Sequence, residues 1–303
     1  GPLSWVRAFF AIRRFKADLV VYKYWMPFFA PCYAAISFLT RIFTRTKILY
    51  LCDNIIPHER RIEDRLLTSI GLWHVHYFIV QSKVVKNDLL EFRPNAAYKE
   101  VPHPVYELFS KSFDKSEARK QLNLQENENV ILFFGYVRKY KGLHVLLDAI
   151  PKVLEETNVK LLVAGEFYDD EQGYRDQIQR LGISDSVSIF ADYIPNEEVG
   201  LYYSAADVVV LPYISATQSG IVQIAYNYDK PVITTNVGGL PEVIDEGKTG
   251  FIVPSEDVAA LAKSIVHFFK IKDKIDFSKN ISEYKKQFSW DRMAAEIEGF
   301  ITA

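Results

Sequence analysis

Short runs of β-branched and aliphatic residues follow one another between residues 130 and 254, separated by longer stretches in which apolar residues recur at helical spacing. This alternation is typical of a parallel sheet built from βαβ units. It predicts an α/β fold with one complete doubly wound, Rossmann-like domain. The predicted strands are VILFFG (130–135), KLLVAG (160–165), SVSIF (186–190), DVVVLP (207–212), PVITT (231–235) and GFIVP (250–254).

The first hundred residues show the same alternation with fewer strands, at 18–24, 47–53 and 76–82. We expect a second Rossmann-like domain there that is incomplete. Because one βαβ unit takes about 30 residues, roughly 60 or more would lie upstream of this sequence. The predicted division is a partial Rossmann-like domain over 1–108, a complete domain over 109–285, and a terminal helix over 286–303 that packs back towards the first domain.

The composition excludes several classes of protein. A formal net charge of −2 over 303 residues argues against a nucleic-acid-binding protein that depends on counterion release. Cys32 and Cys52 are the two cysteines, so neither a disulfide framework nor a zinc site is predicted. The uncharged run at 24–40 is too short for a membrane span and is broken by Pro27 and Pro31. We expect a cytoplasmic protein, with the inner face of the plasma membrane as an alternative position.

Ligands of open α/β sheets bind at the carboxyl ends of the strands, so the loops that follow the strands are the candidate sites. After the strand at 130–135, Gly135 permits a tight turn, Arg138 offers a planar fork of donors, and Lys141 adds a compact charge. Together these residues suit a diphosphate. An ordinary solvated basic turn explains the same cluster equally well.

Two further loops have related chemistry. Thr217, Gln218, Ser219 and Gly220 stand at the start of a helical period, where unpaired backbone N–H groups make an anion site, although Ser and Thr also cap helices that bind nothing. Gly238 and Gly239 would allow close backbone approach in the next loop. Three such loops at one edge of a sheet indicate a shared ligand more strongly than any one of them.

The order of these motifs resembles family 4 glycosyltransferases, which have the GT-B fold. The resemblance covers nearly the whole chain and is strongest from residue 130 to residue 254. In the first hundred residues it is similar to the bacterial members that build surface polysaccharides or lipid-linked glycans. The motifs are FGYVRKYKG, the AGE loop, DVVVLPY, DKPVITTNVGGLPEVIDEGKTGFIVP, and earlier ADLVV, YWMPFFAP, NIIPHE and VPHPVYELF.

The resemblance implies a role for each matching residue. Arg138 and Lys141 match the positions that stabilise the departing diphosphate of a nucleotide-sugar donor. His58 matches a position that contacts sugar or acceptor, for which a purely structural role is equally plausible. The implied donor-binding residues are Gly135, Glu166, Asp192, Tyr193, Thr217, Gln218, Ser219, Gly220 and Gln223.

One departure from the family pattern concerns a pair of Glu residues, which most members carry near the donor sugar and its ribose. If the family pattern is aligned on Gly220, the two positions hold Thr217 and Ala225. If it is aligned on Pro231, they hold Ala216 and Ile224. Neither comparison retains a carboxylate. Gln218 or Gln223 would then supply part of the hydrogen bonding to sugar hydroxyls.

The resemblance also implies a hexosyl transfer with retention of anomeric configuration, with no divalent metal or other cofactor and with a UDP- or GDP-linked sugar as co-substrate. Its partners would be that donor and a glycan or lipid-linked acceptor, with no nucleic acid. Two alternatives remain open. One is a catalytically silent protein that keeps the nucleotide pocket. The other is a sugar-nucleotide epimerase, for which His58, Asp53 and Glu59 are the candidate acid and base groups.

The stretch 24–42 is aromatic and apolar and precedes Arg41, Arg45 and Lys47, so it could rest on a membrane surface. Because its apolar residues are continuous rather than one-sided, we favour the core of a helix over this peripheral contact.

Overall fold

The computed structural model describes residues 1–56, 62–109, 111–168 and 170–301. These residues form two compact units, each with its own parallel sheet. Unit 1 contains residues 1–103 and 290–303, and unit 2 contains residues 104–289.

Unit 1 is built on a sheet of four parallel strands in the order β1-β2-β3-β4. Sequential order with parallel pairing requires a crossover after every strand, and a helix supplies each one. The strands are β1 (Leu19–Tyr24), β2 (Lys47–Cys52), β3 (Tyr77–Val80) and β4 (Ala97–Glu100). The helices of this unit are α1 (Pro2–Phe15), α2 (Ala30–Phe43), α3 (Asp64–Leu72), α4 (Lys83–Phe92) and α12 (Trp290–Glu298).

The structure contains a fourth strand in this half of the chain, β4, which is not among the three strands predicted from the sequence. Its sequence, AYKE, lies at the sheet edge and has no buried residue, so it carries none of the apolar periodicity by which strands are recognised. On one face of the sheet, Tyr24, Tyr50 and Phe78 belong to the core. On the other face, Met293 of α12 packs with Leu49 and Ile79.

Unit 2 contains six parallel strands in the order β10-β9-β8-β5-β6-β7. They coincide in position with the six predicted runs. The strands are β5 (Asn129–Phe134), β6 (Val159–Ala164), β7 (Val187–Phe190), β8 (Val208–Leu211), β9 (Val232–Thr235) and β10 (Gly250–Val253). The helices are α5 (Lys115–Gln121), α6 (Leu143–Leu154), α7 (Glu171–Arg180), α8 (Val199–Ala205), α9 (Gly220–Asn227), α10 (Val258–Ile271) and α11 (Phe277–Tyr284).

The order of strands in unit 2 reverses between β5 and β8, which pair directly although β6 and β7 lie between them in the sequence. In a doubly wound sheet, the helices diverge to opposite faces at such a point and leave a crevice at the carboxyl ends of the two strands. The loops that follow β5 and β8 therefore border the expected ligand position.

No helix among the described residues combines the length and the apolar character that crossing a bilayer requires.

Candidate functional site

The loop after β5 and the loop after β8 are in direct contact at the switch point of unit 2. The N–H of Ile214 donates to the carbonyl of Tyr140 at 2.8 Å. Gly142 has φ 71°, and a Cβ there would lie 1.9 Å from the carbonyl oxygen of Pro212. Since no larger residue fits between the two loops at this point, Gly142 sets how closely they approach.

Lys141 is a buried cation at this junction, with 7% of its surface exposed. Burial, and next the charge of Arg138, lower the pKa of Lys141 to about 8. None of the ion pairs among the described residues includes it. Its Nζ lies 5.8 Å from the centre of the Tyr213 ring. A desolvated ammonium without a carboxylate is costly to the fold, and a bound anion would remove that cost.

Arg138, the second cation predicted for this loop, has a different environment. It is exposed, and its guanidinium carbon lies 4.6 Å from the centre of the Tyr168 ring. The two charges are close enough for Arg138 to lower the pKa of Lys141. The loop therefore presents one fixed, buried charge and one solvated charge to a ligand.

The loop from β8 into α9 carries the predicted helix-start residues. The hydroxyl of Ser219 accepts from the N–H of Ile221 at 3.2 Å, so it caps α9 as the ordinary interpretation expects. The same hydroxyl lies 3.2 Å from the phenol oxygen of Tyr213, the ring beneath Lys141. Tyr213 thus links the helix start to the buried cation.

The third glycine-bearing loop joins this arrangement from the next strand. The N–H of Gly239 donates to the carbonyl of Thr217 at 2.9 Å. Gly238 has φ 55°, and a Cβ there would lie 1.8 Å from the carbonyl oxygen of Ala216. The three loops singled out from the sequence therefore contact one another in a row along the edge of the sheet.

A cavity of about 250 Å³ opens beside Lys141, at the carboxyl ends of β5, β6 and β7. Three of the predicted donor-binding residues, Gly135, Glu166 and Tyr193, line it together with Lys141. Most of the remaining wall is apolar or aromatic, which suits the flat face of a nucleobase. Those further lining residues are Phe109, Phe134, Tyr136, Gly165, Ile194, Asn196, Val199 and Ile221.

The remaining predicted residues lie outside this lining. Asp192 is exposed beside Tyr193, and Thr217 is buried in the helix-start loop. Gln223 on α9 is almost fully buried, and its side-chain oxygen Oε1 has no hydrogen-bond partner. The positions at which the family pattern has Glu hold the buried residues Ala216, Thr217, Ile224 and Ala225.

His58 and Glu59 lie outside the residues that the structure describes. Asp53, the third candidate acid or base of the first unit, forms an ion pair with Lys23 at 3.2 Å. Within the described ranges, no three His, Cys, Asp or Glu side chains lie close enough together to hold a metal ion.

The lining residues missed from the sequence are mostly apolar. Nothing in the sequence distinguishes Ile194, Val199 and Ile221 from residues of the hydrophobic core. Tyr136 and Tyr213 could have been predicted as site residues, because each lies two residues after the carboxyl end of a strand of the sheet.

Comparison with known proteins places this chain in a family. The model described as "Glycosyl transferases group 1" matches residues 114–288. The D-inositol 3-phosphate glycosyltransferase of Corynebacterium efficiens is 27% identical over 187 residues, which are 59% of this chain and 44% of that protein. Spore coat protein SA of Bacillus subtilis is 30% identical over 194 residues, which are 60% of this chain and 51% of that protein. The chain spans about half of the length of these curated relatives.

Solved structures resemble the chain over almost its whole length. HepE of Anabaena in complex with UDP superposes with a TM-score of 0.82 at 19% identity, and the match covers 98% of this chain and 81% of that one. A complex of HepE with UDP-glucose gives a TM-score of 0.77 at 20% identity, with 98% and 81% covered. These likenesses concern the fold. They confirm the predicted GT-B architecture of two Rossmann-like domains with parallel sheets.

Proposed function

Because the chain belongs to the glycosyl transferases group 1 family, we propose that it transfers a sugar from a nucleotide-sugar donor to a glycan or lipid-linked acceptor. The observation that carries this proposal is Lys141, a buried cation with no carboxylate partner among the described residues. It lies where the loops after β5 and β8 meet, beside the capped start of α9. A diphosphate is the group that such a site would stabilise best.

The nucleoside of the donor would occupy the cavity beside Lys141. Its apolar wall would contact the base, and Glu166 in the lining would accept hydrogen bonds from ribose hydroxyls. Asp192 and Tyr193 would border the same region. The HepE structures are complexes with UDP and with UDP-glucose, which supports a UDP-linked donor for this chain, with a GDP-linked donor as the alternative.

The chemical step would be a hexosyl transfer with retention. As the bond between the anomeric carbon and the phosphate oxygen breaks, negative charge grows on the diphosphate, and Lys141 and Arg138 neutralise it. The acceptor hydroxyl attacks the anomeric carbon on the same face, and the departing phosphate oxygen takes its proton. This scheme requires no protein carboxylate as a base and no resident cofactor. His58 would contact sugar or acceptor.

A catalytically silent nucleotide-sugar-binding protein is the second candidate. The observation that favours it is the absence of carboxylates from the family's Glu positions, whose occupants Ile224 and Ala225 belong to the core. Binding of a nucleotide sugar without release of nucleoside diphosphate would establish this alternative.

The setting we propose for the enzyme is bacterial surface-polysaccharide synthesis, at the cytoplasmic side of the cell envelope.

A thermal-shift screen tests the proposed ligand. We expect UDP or GDP to raise the melting temperature by several degrees at a concentration 100 times the Kd, where one-site linkage gives about 2.7 kcal/mol. The matching nucleoside monophosphate should stabilise the protein less, because it lacks the second phosphate. If neither diphosphate shifts the melting temperature of a folded sample, the proposed donor site is wrong.

Because Arg138 is exposed, its contribution to turnover should depend on the salt concentration. Arg138→Ala should lower turnover about tenfold at low ionic strength and much less in high salt, because mobile ions screen a solvated charge. Lys139→Ala is the matched control, since Lys139 comes from the same loop and lines a different cavity with His144. The measurement is the rate of nucleoside diphosphate release at several salt concentrations. Equal losses in the two variants would argue against a specific role for Arg138.

Gln223 offers a test of what replaces the missing Glu pair. If its unpartnered Oε1 accepts a hydrogen bond from a sugar hydroxyl, Gln223→Leu should weaken the binding of the nucleotide sugar about tenfold. Binding of the nucleoside diphosphate alone should be unchanged. Calorimetric titration of both ligands separates this role from a structural one, which would weaken both together.

A further inference from the structure

The guanidinium of Arg138 lies against an aromatic ring from the neighbouring loop, the one that follows β6. Its carbon is 4.6 Å from the centre of the Tyr168 ring, which is the geometry of a cation–π contact. None of the ion pairs among the described residues includes Arg138. The Tyr168 ring is therefore the contact that sets the direction of this charge.

The backbone of Tyr168 is fixed beside the loop that carries Arg138. Val137, the residue before Arg138, donates its N–H to the carbonyl of Glu166 at 2.8 Å. The carbonyl of Val137 accepts from the N–H of Tyr168 at 3.0 Å. These two bonds form a parallel bridge between Val137 and Phe167, beyond the ends of β5 and β6. Since Val137 is fully buried, the bridge anchors both loops to the core.

Aromatic contacts hold the side chains of this segment as well. The Phe167 ring packs against Tyr174 of α7, with ring centres 5.7 Å apart. The Tyr168 ring packs against Tyr136, with centres 5.0 Å apart and planes at 83°. Such an edge-to-face arrangement is a favourable one for two aromatic rings. The Tyr168 ring is therefore held by Tyr136 while it contacts the guanidinium of Arg138.

The two rings connect Arg138 to the cavity proposed for the nucleoside. Tyr136 lines that cavity together with Lys141. Arg138 is close enough to Lys141 to lower its pKa. Contacts thus run from the cavity through Tyr136 and Tyr168 to the exposed cation of the diphosphate site.

Holding an exposed arginine in place has a consequence for binding. A flexible arginine loses rotamer freedom when it binds an anion, whereas one that is already held loses less. The Tyr168 side chain is 53% exposed, so it contributes little to the core and its replacement should leave the chain folded. Its contact with Arg138 is therefore open to test by substitution.

We propose that Tyr168 is a positioning residue of the donor site, which holds the guanidinium of Arg138 beside Lys141 so that both charges meet the donor diphosphate. This inference rests on the proposed function and adds to it a residue that acts through Arg138. Removal of the Tyr168 ring should therefore matter only while Arg138 is present.

Side-chain NMR tests the contact in the unliganded chain. The Nε–H resonance of Arg138, identified by its loss in Arg138→Lys, should be shifted upfield by the ring current of Tyr168. The shift should persist in Tyr168→Phe, which keeps the ring, and disappear in Tyr168→Leu. An unchanged resonance in Tyr168→Leu would show that the contact does not form in solution, and this would overturn the inference.

A double-mutant cycle tests the positioning role, with UDP and GDP as probes in calorimetric titration at low ionic strength. Tyr168→Leu should weaken the binding of the diphosphate about two- to fivefold, the loss expected for an exposed cation–π contact. Tyr168→Phe should bind as the parent chain does. In an Arg138→Ala chain, Tyr168→Leu should cause no further loss. Uridine and guanosine, which lack phosphates, should bind equally to the parent and to Tyr168→Leu.

Lys139 provides the matched control cycle, because it lies in the same loop and lines a different cavity. Tyr168→Leu should weaken diphosphate binding in a Lys139→Ala chain as much as it does in the parent. Equal losses in the parent and Arg138→Ala backgrounds would mean that Tyr168 acts on the fold or on the ligand directly. That result would overturn the positioning role.

The same titrations separate failure of this role from failure of the proposed function. If Arg138→Ala weakens diphosphate binding and Tyr168→Leu does not, the positioning role is wrong and the donor site stands. If Arg138→Ala has no effect, the positioning role is also wrong, and Lys141 still carries the proposed function. If neither UDP nor GDP binds to the folded parent chain, both are wrong.

Discussion

A Lys141→Met chain should fold normally and release nucleoside diphosphate from its donor about 100- to 1,000-fold more slowly, the loss typical of removing one preorganised group that stabilises transition-state charge. The Met side chain keeps much of the length and apolar volume of Lys141, and it removes the charge. Because this charge is buried at the junction of two loops, bulk water cannot replace it. The measurement is single-turnover release of the diphosphate at saturating donor.

The same substitution should stabilise the unliganded protein. The pKa of Lys141 is lowered from 10.5 to about 8, so at neutral pH the protonated side chain costs the fold free energy. Removing it should raise the free energy of unfolding by an amount on the order of 2 to 3 kcal/mol. In the parent chain this cost is largest below pH 8 and disappears as the pH rises towards 10.5. A variant that is more stable and less active would identify Lys141 as a functional rather than a structural residue.

Ligand binding should show the corresponding pH dependence. The protonated form of Lys141 binds the anion, so the affinity for UDP or GDP should be level below about pH 8 and fall towards tenfold per pH unit above it. In Lys141→Met the affinity should be low and nearly independent of pH over this range. Lys139→Met serves as the matched control from the same loop and should follow the parent profile. Unchanged turnover in Lys141→Met would remove the central support for the proposed function.

The sequence predicted the sheet of unit 2 well because its strands are buried on both faces. Such strands read as continuous apolar runs, as in Val208–Leu211, where every residue is buried. The strand Ala97–Glu100 was missed because an edge strand with a polar sequence forms through pairing with Tyr77–Val80, and local sequence does not record its partner.

The same distinction holds for the candidate site, where some residues are placed by the order of strands and helices and others by tertiary packing. Gly135, Lys141 and Ser219 follow strands or start helices, so topology alone brings them to one edge. The phenol of Tyr213, which links Lys141 to Ser219, depends on a side-chain position that spacing does not specify. The difference between buried Lys141 and exposed Arg138 likewise follows from tertiary packing, since the two cations are nearly equivalent in sequence.

A second large effect is expected at Asp207, which precedes β8 and so lies at the end of that strand opposite to its donor loop. Its carboxylate accepts from Lys115 at 2.6 Å, from Arg119 at 3.0 Å and from the N–H of Val130 at 2.8 Å. The side chains of Asp207 and Arg119 are each 4% exposed. The carboxylate thus ties α5 to the starts of β5 and β8, in the middle of the sheet.

Asp207→Asn should lower the free energy of unfolding by about 3 to 5 kcal/mol at neutral pH, because it leaves the buried guanidinium of Arg119 without its counter-charge. Denaturant titration at fixed pH measures this loss. Glu156→Gln is the control, since the pair of Glu156 with Lys270 is exposed on both sides and should contribute too little to resolve. A loss as small as that of the control would show that water or a neighbouring group compensates the charge.

The pH dependence of this loss follows from the pKa of Asp207. Burial acts to raise that pKa, but the hydrogen bond and charge of Lys115, the N–H of Val130 and the charge of Lys272 together lower it below 3.8. A carboxyl with a lowered folded-state pKa contributes its full stability above the unfolded value and loses it as the pH falls through the folded value. The difference between parent and Asp207→Asn should therefore be constant from about pH 5 to pH 8 and shrink below about pH 4. A difference that persists undiminished at pH 2 would mean that the charge of Asp207 does not carry the effect.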